Sequence, residues 1–534
     1  VKLVGPRKTA PVFLPPRPMR GQALVLALVT LVTLVIGVIV LFNTGQTVGK
    51  KIQIVNTADA AAYSAAVQQA RAFNMISYMN RATIANQVAM AQMVSWYSWT
   101  NFAISATHNL KTALRVVGVV LTFFGVGVEL QMVANALENV ESGLKSGRDI
   151  EQTMFKAAAK AISILDGIYA RTTQLLANVS STDVINLASR VVQLNDPNAH
   201  IPPEGILILA TNARTVNGYI QQYRIPKNGD RSAGADRLTN VVMEARDPFS
   251  RARNGNLLGV FHKRGGTDLV NYRNWVGVDT LNFTFSCPVW LCGTTGFPPH
   301  AVSFNVPLAW GGGAAVDKKP SSFKSLANKN NGWYGPYRGN GHEYAGQGHY
   351  RPYSDATQNG FSGWLALSRP AEGASDKAFI EPNSGAGSFL SNTLSSTVGL
   401  PDYVDIQKDK ATIPYLNGKN ASANGVNHLD VGPRFTVLVE ESMNDIRTSS
   451  HIPGIGGAPD FDIQDKTVRN KMTALSSAEV YFSRPQTLFP NLVNSHREMG
   501  SLFSPYWHAR LVETPCVTQI AVAATYGVVG VCIP

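Results

Sequence analysis

Charge is scarce in this sequence. Asp, Glu, Lys and Arg make up 15% of the 534 residues, against roughly a quarter in ordinary soluble domains. Between Gly21 and Gly49 there is none at all. Proline is missing from the whole stretch between Pro18 and Pro197, which leaves room for uninterrupted helix, since proline costs about 3 kcal/mol in a helix interior. Cysteine is limited to Cys287, Cys292, Cys516 and Cys532, too few to staple a disulfide-built scaffold. No C-x2-C occurs, so a zinc ribbon is not indicated. Phosphate cradles, dinucleotide fingerprints and G-x-S-x-G elbows are likewise absent. His342, Glu343 and His349 are spaced H-E-x5-H. A zinc-protease helix needs its two histidines one turn apart, and Gly341, Gly346 and Gly348 oppose a helix here. Those three residues leave an extracytoplasmic metal-dependent enzyme only as an alternative reading. No cofactor is expected. The net charge of +12 is spread along the chain beyond Lys2, Arg7, Lys8, Arg17 and Arg20, and without a concentrated basic stripe no nucleic-acid partner is expected.

The apolar content is as telling as the missing charge. Ala23 to Phe42 is a run of twenty uncharged residues, or about 30 Å of helix, the thickness of a bilayer core. It is longer than the apolar core of a secretory signal, and no small-x-small cleavage site follows it. A retained anchor is the expectation. The five leading cations, with no acid among them, place the N-terminus in the cytoplasm and the bulk of the chain on the far side of the membrane. Lys50 to Val117 contains neither glycine nor proline. Ala62, Ala65, Ala66, Ala70, Phe73, Ile76 and Met79 fall on one face of a helix there, with small residues at the spacing that lets backbones approach closely. Helical patterning resumes at 129–141, 149–176, 183–194, 204–222 and 235–247, which suggests a bundle or a long hairpin. The apolar patch Val116–Val128 is too short to cross a membrane and fits a buried helix or a membrane-surface contact.

From about residue 255 the pattern becomes strand-like, with candidates at 257–263, 269–281, 283–286, 301–310, 435–441, 478–483, 508–514 and 518–529. Residues 310–364 form an insertion rich in glycine, asparagine and aromatics. Its Trp333, Tyr334, Tyr337, Tyr344, Tyr350 and Tyr353 suit either a partner-contacting surface, as in paratopes, or a long loop packing on its own domain. The cysteines are expected in disulfides if this half lies in an oxidising compartment. Cys287–Cys292 and Cys516–Cys532 are the local pairings, among three that four cysteines allow. The expected class is α+β. A basic cytoplasmic leader (1–21) is followed by a transmembrane, pilin-like helix (22–43) and a helical stalk or bundle (44–250). A strand-rich antiparallel extracytoplasmic domain (251–534) with long loop insertions completes the chain.

Particular residues carry a family resemblance. Arg20-Gly21-Gln22-Ala23, the apolar run, and Asn56-Thr57-Ala58-Asp59-Ala60-Ala61-Ala62 resemble the N-terminal segment of TadE/TadG-like Flp pilus-assembly proteins. So does NMISYMNRATIANQVAMAQ at 74–92, together with three distant pieces, KRGGTDLV (263–270), SAEVYFSRP (477–485) and SLFSPYWHARLVE (501–513). The resemblance implies a single-pass component of the bacterial inner membrane in tight-adherence pilus machinery, pseudopilin-like or minor-pilin-like. Its implied partners are the membrane, other pilin-like or Tad-type subunits, and further copies of itself through the N-terminal helix. It also implies prepilin-peptidase cleavage between Gly21 and Gln22, although Leu26 stands where processed relatives commonly carry Glu. An envelope or surface adhesin is the alternative the aromatic insertion would serve.

Overall fold

The computed structural model describes residues 22–122, 125–226, 232–270, 272–287, 302–317, 379–380, 397–406, 431–449, 470–484 and 500–528. One helix dominates it: α1, Gln22–Leu121, is 100 residues long. The Asn56–Asp59 segment continues the apolar first part of this helix without a break. The chain turns at Gly125, whose φ of +80° needs glycine, and returns as α2, Gly127–Asn195. The three helical stretches read between 129 and 194 are therefore one element, and α1 with α2 forms a long antiparallel hairpin. The described parts of the patch, 116–122 and 125–128, lie at the end of that hairpin with their valines exposed, not in a buried helix.

Helix α3 (Pro203–Tyr219) follows, with proline at its first position. It passes directly into β1, Ile220–Tyr223, so the helix expected over 204–222 stops short. Helix α4 (Ala233–Ala245) begins at Ser232, whose side chain accepts a hydrogen bond from the Ala235 amide. The short α5 is Pro248–Arg251.

Three sheets lie along the hairpin. β2 (Gly255–Leu257), β3 (Phe261–Val270), β4 (Asn274–Cys287), β5 (Val302–Ala315) and β6 (Phe379–Ile380) form one, in that order. Its pairs are antiparallel except β5 with β6. β1 pairs with β7, Tyr403–Ile406. The third sheet is β8 (Val431–Ser442), β9 (Lys471–Phe482) and β10 (Trp507–Val512), with β9 central. The last described element, α6 (Cys516–Thr525), is a helix, where apolar alternation over 518–529 suggested a strand. That window has no charge to break either pattern, and periodicity does not separate a short apolar helix from a buried strand.

Two cores result. Ala58, Ala62, Ala65, Ala66, Phe73 and Ile76 of α1 are buried with Val184, Ala188 and Val192 of α2 and the inner faces of β8 and β9. The alanines allow the sheet close to the helix, and Phe73 fills the gap beyond them, stacked on Tyr219 and edge-on to Trp507 at 5.3 Å. Further along, Met90, Ala91, Val94 and Tyr97 meet α4, Leu269 and Trp275. Here glycines bring strand against helix. A Cβ on Gly311 would lie 2.1 Å from the Phe102 amide nitrogen, and one on Gly313 2.9 Å from that of Ser98. The insertion expected to begin at 310 thus opens with strand that belongs to the core.

Candidate functional site: the anchor helix and its polar seam

The two ends of α1 and its middle differ. From Leu24 to Phe42 the large apolar side chains other than the half-buried Ile39 are 39–74% exposed. One helix among the described residues is long and apolar enough to cross a membrane, and its most apolar window, near the N-terminus, is unburied. Exposed all round, this segment suits lipid as its solvent. Gly37 within it, and Gly45 and Gly49 just beyond it, open onto empty space.

The change of environment is abrupt at Asn43, which is buried. Its amide donates to Ser449 Oγ at 2.9 Å and accepts from the Ser449 backbone N–H at 2.8 Å. Two turns on, Lys50 Nζ lies 2.7 Å from Asp196 and 2.9 Å from Glu441, both fully buried carboxylates. Burial pushes Glu441 up against the pull of Lys50. Beside it, Lys51 and Val55 border a groove of about 1410 Å³ closed on its other side by Leu511, Val522, Ala523 and Tyr526.

A seam of amides then runs up α1. Asn74 makes two bonds to Trp507, donating to its carbonyl and accepting from its N–H, each 2.9 Å. Asn80 donates to the carbonyls of Val404 at 2.9 Å and Leu502 at 2.7 Å, and Arg81 to that of Phe503 at 2.6 Å. Gln87 donates to Asp166 and to the Gly399 carbonyl, and accepts from the Trp275 indole. Asn86 donates to the other oxygen of Asp166 at 2.7 Å. Burial outweighs both bonds and pushes the Asp166 carboxyl up to about 7. Further on, Ser95 meets Thr267, Ser98 donates to Asp279, and Asn101 and Asn109 donate to the carbonyls of Gly312 and Leu308. Arg253 closes on Asp279 at 2.8 Å.

Buried backbone polar groups require partners, and the side chains of α1 provide them for loops and strand ends far away in sequence. The seam was half visible beforehand. Asn74, Asn80, Arg81, Asn86 and Gln87 are polar residues within an apolar stretch, but nothing in their spacing reveals that Asn74, Asn80, Arg81 and Gln87 clamp distant backbone and Asn86 a buried carboxylate. The three distant pieces read as one resemblance also meet here. Thr267 of the first touches Ser95, residues 477–482 of the second lie in β9 of the sheet on α1, and Leu502, Phe503 and Trp507 of the third are held by Asn80, Arg81 and Asn74.

Other expected sites fall wholly or partly outside the described residues. Trp333, Tyr334, Tyr337, Tyr344, Tyr350 and Tyr353, with His342, Glu343 and His349, lie outside the described residues, as do Gly21, Cys292 and Cys532. Cys516 is disulfide-bonded, and of Cys287 only the backbone at the end of β4 is described. Among the described residues no group of three or more His, Cys, Asp or Glu side chains is placed to hold a metal.

This arrangement defines a class: a folded α+β body whose core is built on the continuation of an apolar helix long enough to cross a membrane. Within that class, residues 21–69 match the Tad family model, described as "Putative Flp pilus-assembly TadE/G-like". The matched segment spans the exposed apolar rod, the Asn43 junction and the first alanines of the core. No curated protein and no solved structure gives a match.

Proposed function

We propose that this chain is a membrane-anchored structural or assembly component of a bacterial tight-adherence (Flp/Tad) pilus system, pseudopilin-like or minor-pilin-like, acting without catalysis. The carrying observation is the family match over 21–69, which falls where the lipid-suited rod enters the folded body. In this reading the N-terminus is cytoplasmic, the helix spans the inner membrane once, and the sheets lie outside the cytoplasm. Other pilin-like subunits, or further copies of this chain, pack on the anchor. The open helix surface at Gly37, Gly45 and Gly49 supports that contact, because small residues let helix backbones approach. Disulfides Cys287–Cys292 and Cys516–Cys532 belong to the same reading, and the bonded state of Cys516 supports an oxidising compartment.

Fractionation combined with N-terminal sequencing tests this. The chain is expected in the inner membrane, with protease added to spheroplasts digesting everything beyond the anchor. An N-terminus at Gln22 in sheared surface filaments identifies a processed minor pilin, and an intact leader in the membrane identifies an assembly subunit. Full-length chain free in the cytosol with reduced thiols would refute the reading.

A further inference from the structure

The groove beside Lys51 runs along a sheet edge that stops short. β8 pairs with β9 from Lys471 onward, but β10 covers the other side of β9 only from Ser477 to Phe482. Past Val512 the chain turns away through Thr514, whose hydroxyl lies 2.9 Å from Ser477 Oγ, and Pro515 opens α6. Between Lys471 and Ser476 that edge of β9 meets no strand among the described residues. Lys51 donates to the Thr473 carbonyl in place of one. Across the groove, α6 is uncharged, yet none of its ten residues is buried. The third wall is a stripe of α1, Lys51, Val55 and Asp59, in steps of about 6 Å. Among the described residues no carboxylate pairs with Lys51 and no cation with Asp59. Here α1 and β9 run the same way, since Lys51 lies at Thr473 and Asn74 at Trp507, the partner of Phe482.

We propose that this slot takes an extended segment of another protein chain as an added antiparallel strand on β9. That segment carries a base, an apolar residue and an acid at alternate positions, in that order. A free strand edge is a template for a further strand. Alternate strand residues share a face at about 6.6–6.8 Å, close to the steps of the stripe, so the three meet Asp59, Val55 and Lys51 in turn. Running base first, the segment is antiparallel to β9, as β8 and β10 are. Its backbone N–H takes over the Thr473 carbonyl and releases Lys51 to the incoming carboxylate. An acyl chain offers this edge no donor. The chain's own residues 529–534, Val-Gly-Val-Cys-Ile-Pro, carry no charge for Lys51 or Asp59. The inference stands on the folded body and not on the pilus reading, which survives its failure.

The test uses full-length protein in phosphatidylcholine nanodiscs and the fluorescent peptide acetyl-Thr-Lys-Thr-Val-Thr-Asp-Thr-amide, followed by polarisation. Saturable binding is expected. A peptide with its Lys and Asp exchanged, and one N-methylated along its backbone, are each expected to bind at least tenfold more weakly. Lys51→Glu with Asp59→Lys is expected to reverse the ranking of the two charged peptides, a gain that a misfolded variant does not show. Hydrogen exchange at 472–476 is expected to be fast in the protein alone and at least tenfold slower with the first peptide. No binding by wild type, less than tenfold separation of the peptides, or an unreversed ranking in the double variant would each overturn the proposal. So would slow exchange before peptide is added, which marks an edge covered by the chain itself, or displacement of the peptide by phosphatidylglycerol, which marks a lipid slot.

Discussion

Asn80 shows what single side chains contribute. It is buried, and its two bonds end on carbonyls from segments more than 300 residues away. Asn80→Ala leaves both carbonyls unpaired and is expected to cost about 1–3 kcal/mol, read as a lowered melting temperature in detergent. Asn195→Ala, at an exposed site bonded only within its own helix, is expected to stay within about 0.5 kcal/mol. Asp166 gives a pH signature. Its carboxyl is raised to about 7 by burial, while the unfolded chain ionises near 4. The folded state therefore holds the extra proton between these values, and the Asp166 contribution to stability is complete below about pH 4 and is lost as pH rises to about 7. The melting temperature of Asp166→Asn minus that of wild type is expected to rise across this window, and a flat difference would show that the carboxyl is ordinary. Glu141 behaves oppositely. Burial raises it, but bonds from Lys111, Lys145 and His108 prevail and hold it at about 2, so its support for the hairpin is lost only as pH falls toward 2.

Helices and strands were legible in proportion to how local their causes are. The absence of glycine and proline from Lys50 to Val117 left little alternative to helix, and the strand patterns at 435–441 and 478–483 mark most of β8 but only the second half of β9. The α+β class with its long apolar first helix followed from these alone. Gly311-Gly312-Gly313 was misplaced into a loop because glycine marks both turns and close approaches, and only the position of Phe102 distinguishes them. Gly311→Ala is expected to cost about 1–3 kcal/mol or more through overpacking against the α1 backbone, while Gly255→Ala, where a Cβ meets nothing within 4 Å, should be nearly silent; denaturant midpoints of the two variants check this. α6 was misread because ten uncharged residues satisfy a helix and a strand template equally. The clamps were illegible because their partners are main-chain carbonyls, which carry no sequence signal.

For the molecule as a whole, one helix serves two solvents. The chain is expected to stay with membranes through alkaline carbonate washing. Val32→Arg with Val35→Arg, at exposed positions of the anchor, costs about 5–7 kcal/mol of insertion on translocon scales and is expected to release the chain or block its integration, as read by the soluble fraction. A further consequence follows from the absence of any break in α1 at Asn43. With the first segment in lipid, the body would have no swivel where it leaves the bilayer, so any lean of that segment would become a lean of everything above it. Transmembrane helices commonly tilt by about 20°. Over the roughly 117 Å from Asn43 to Leu121, such a lean would swing the far end sideways by about 40 Å. Neighbours pressing on the buried root of this lever could steer its remote end without touching it.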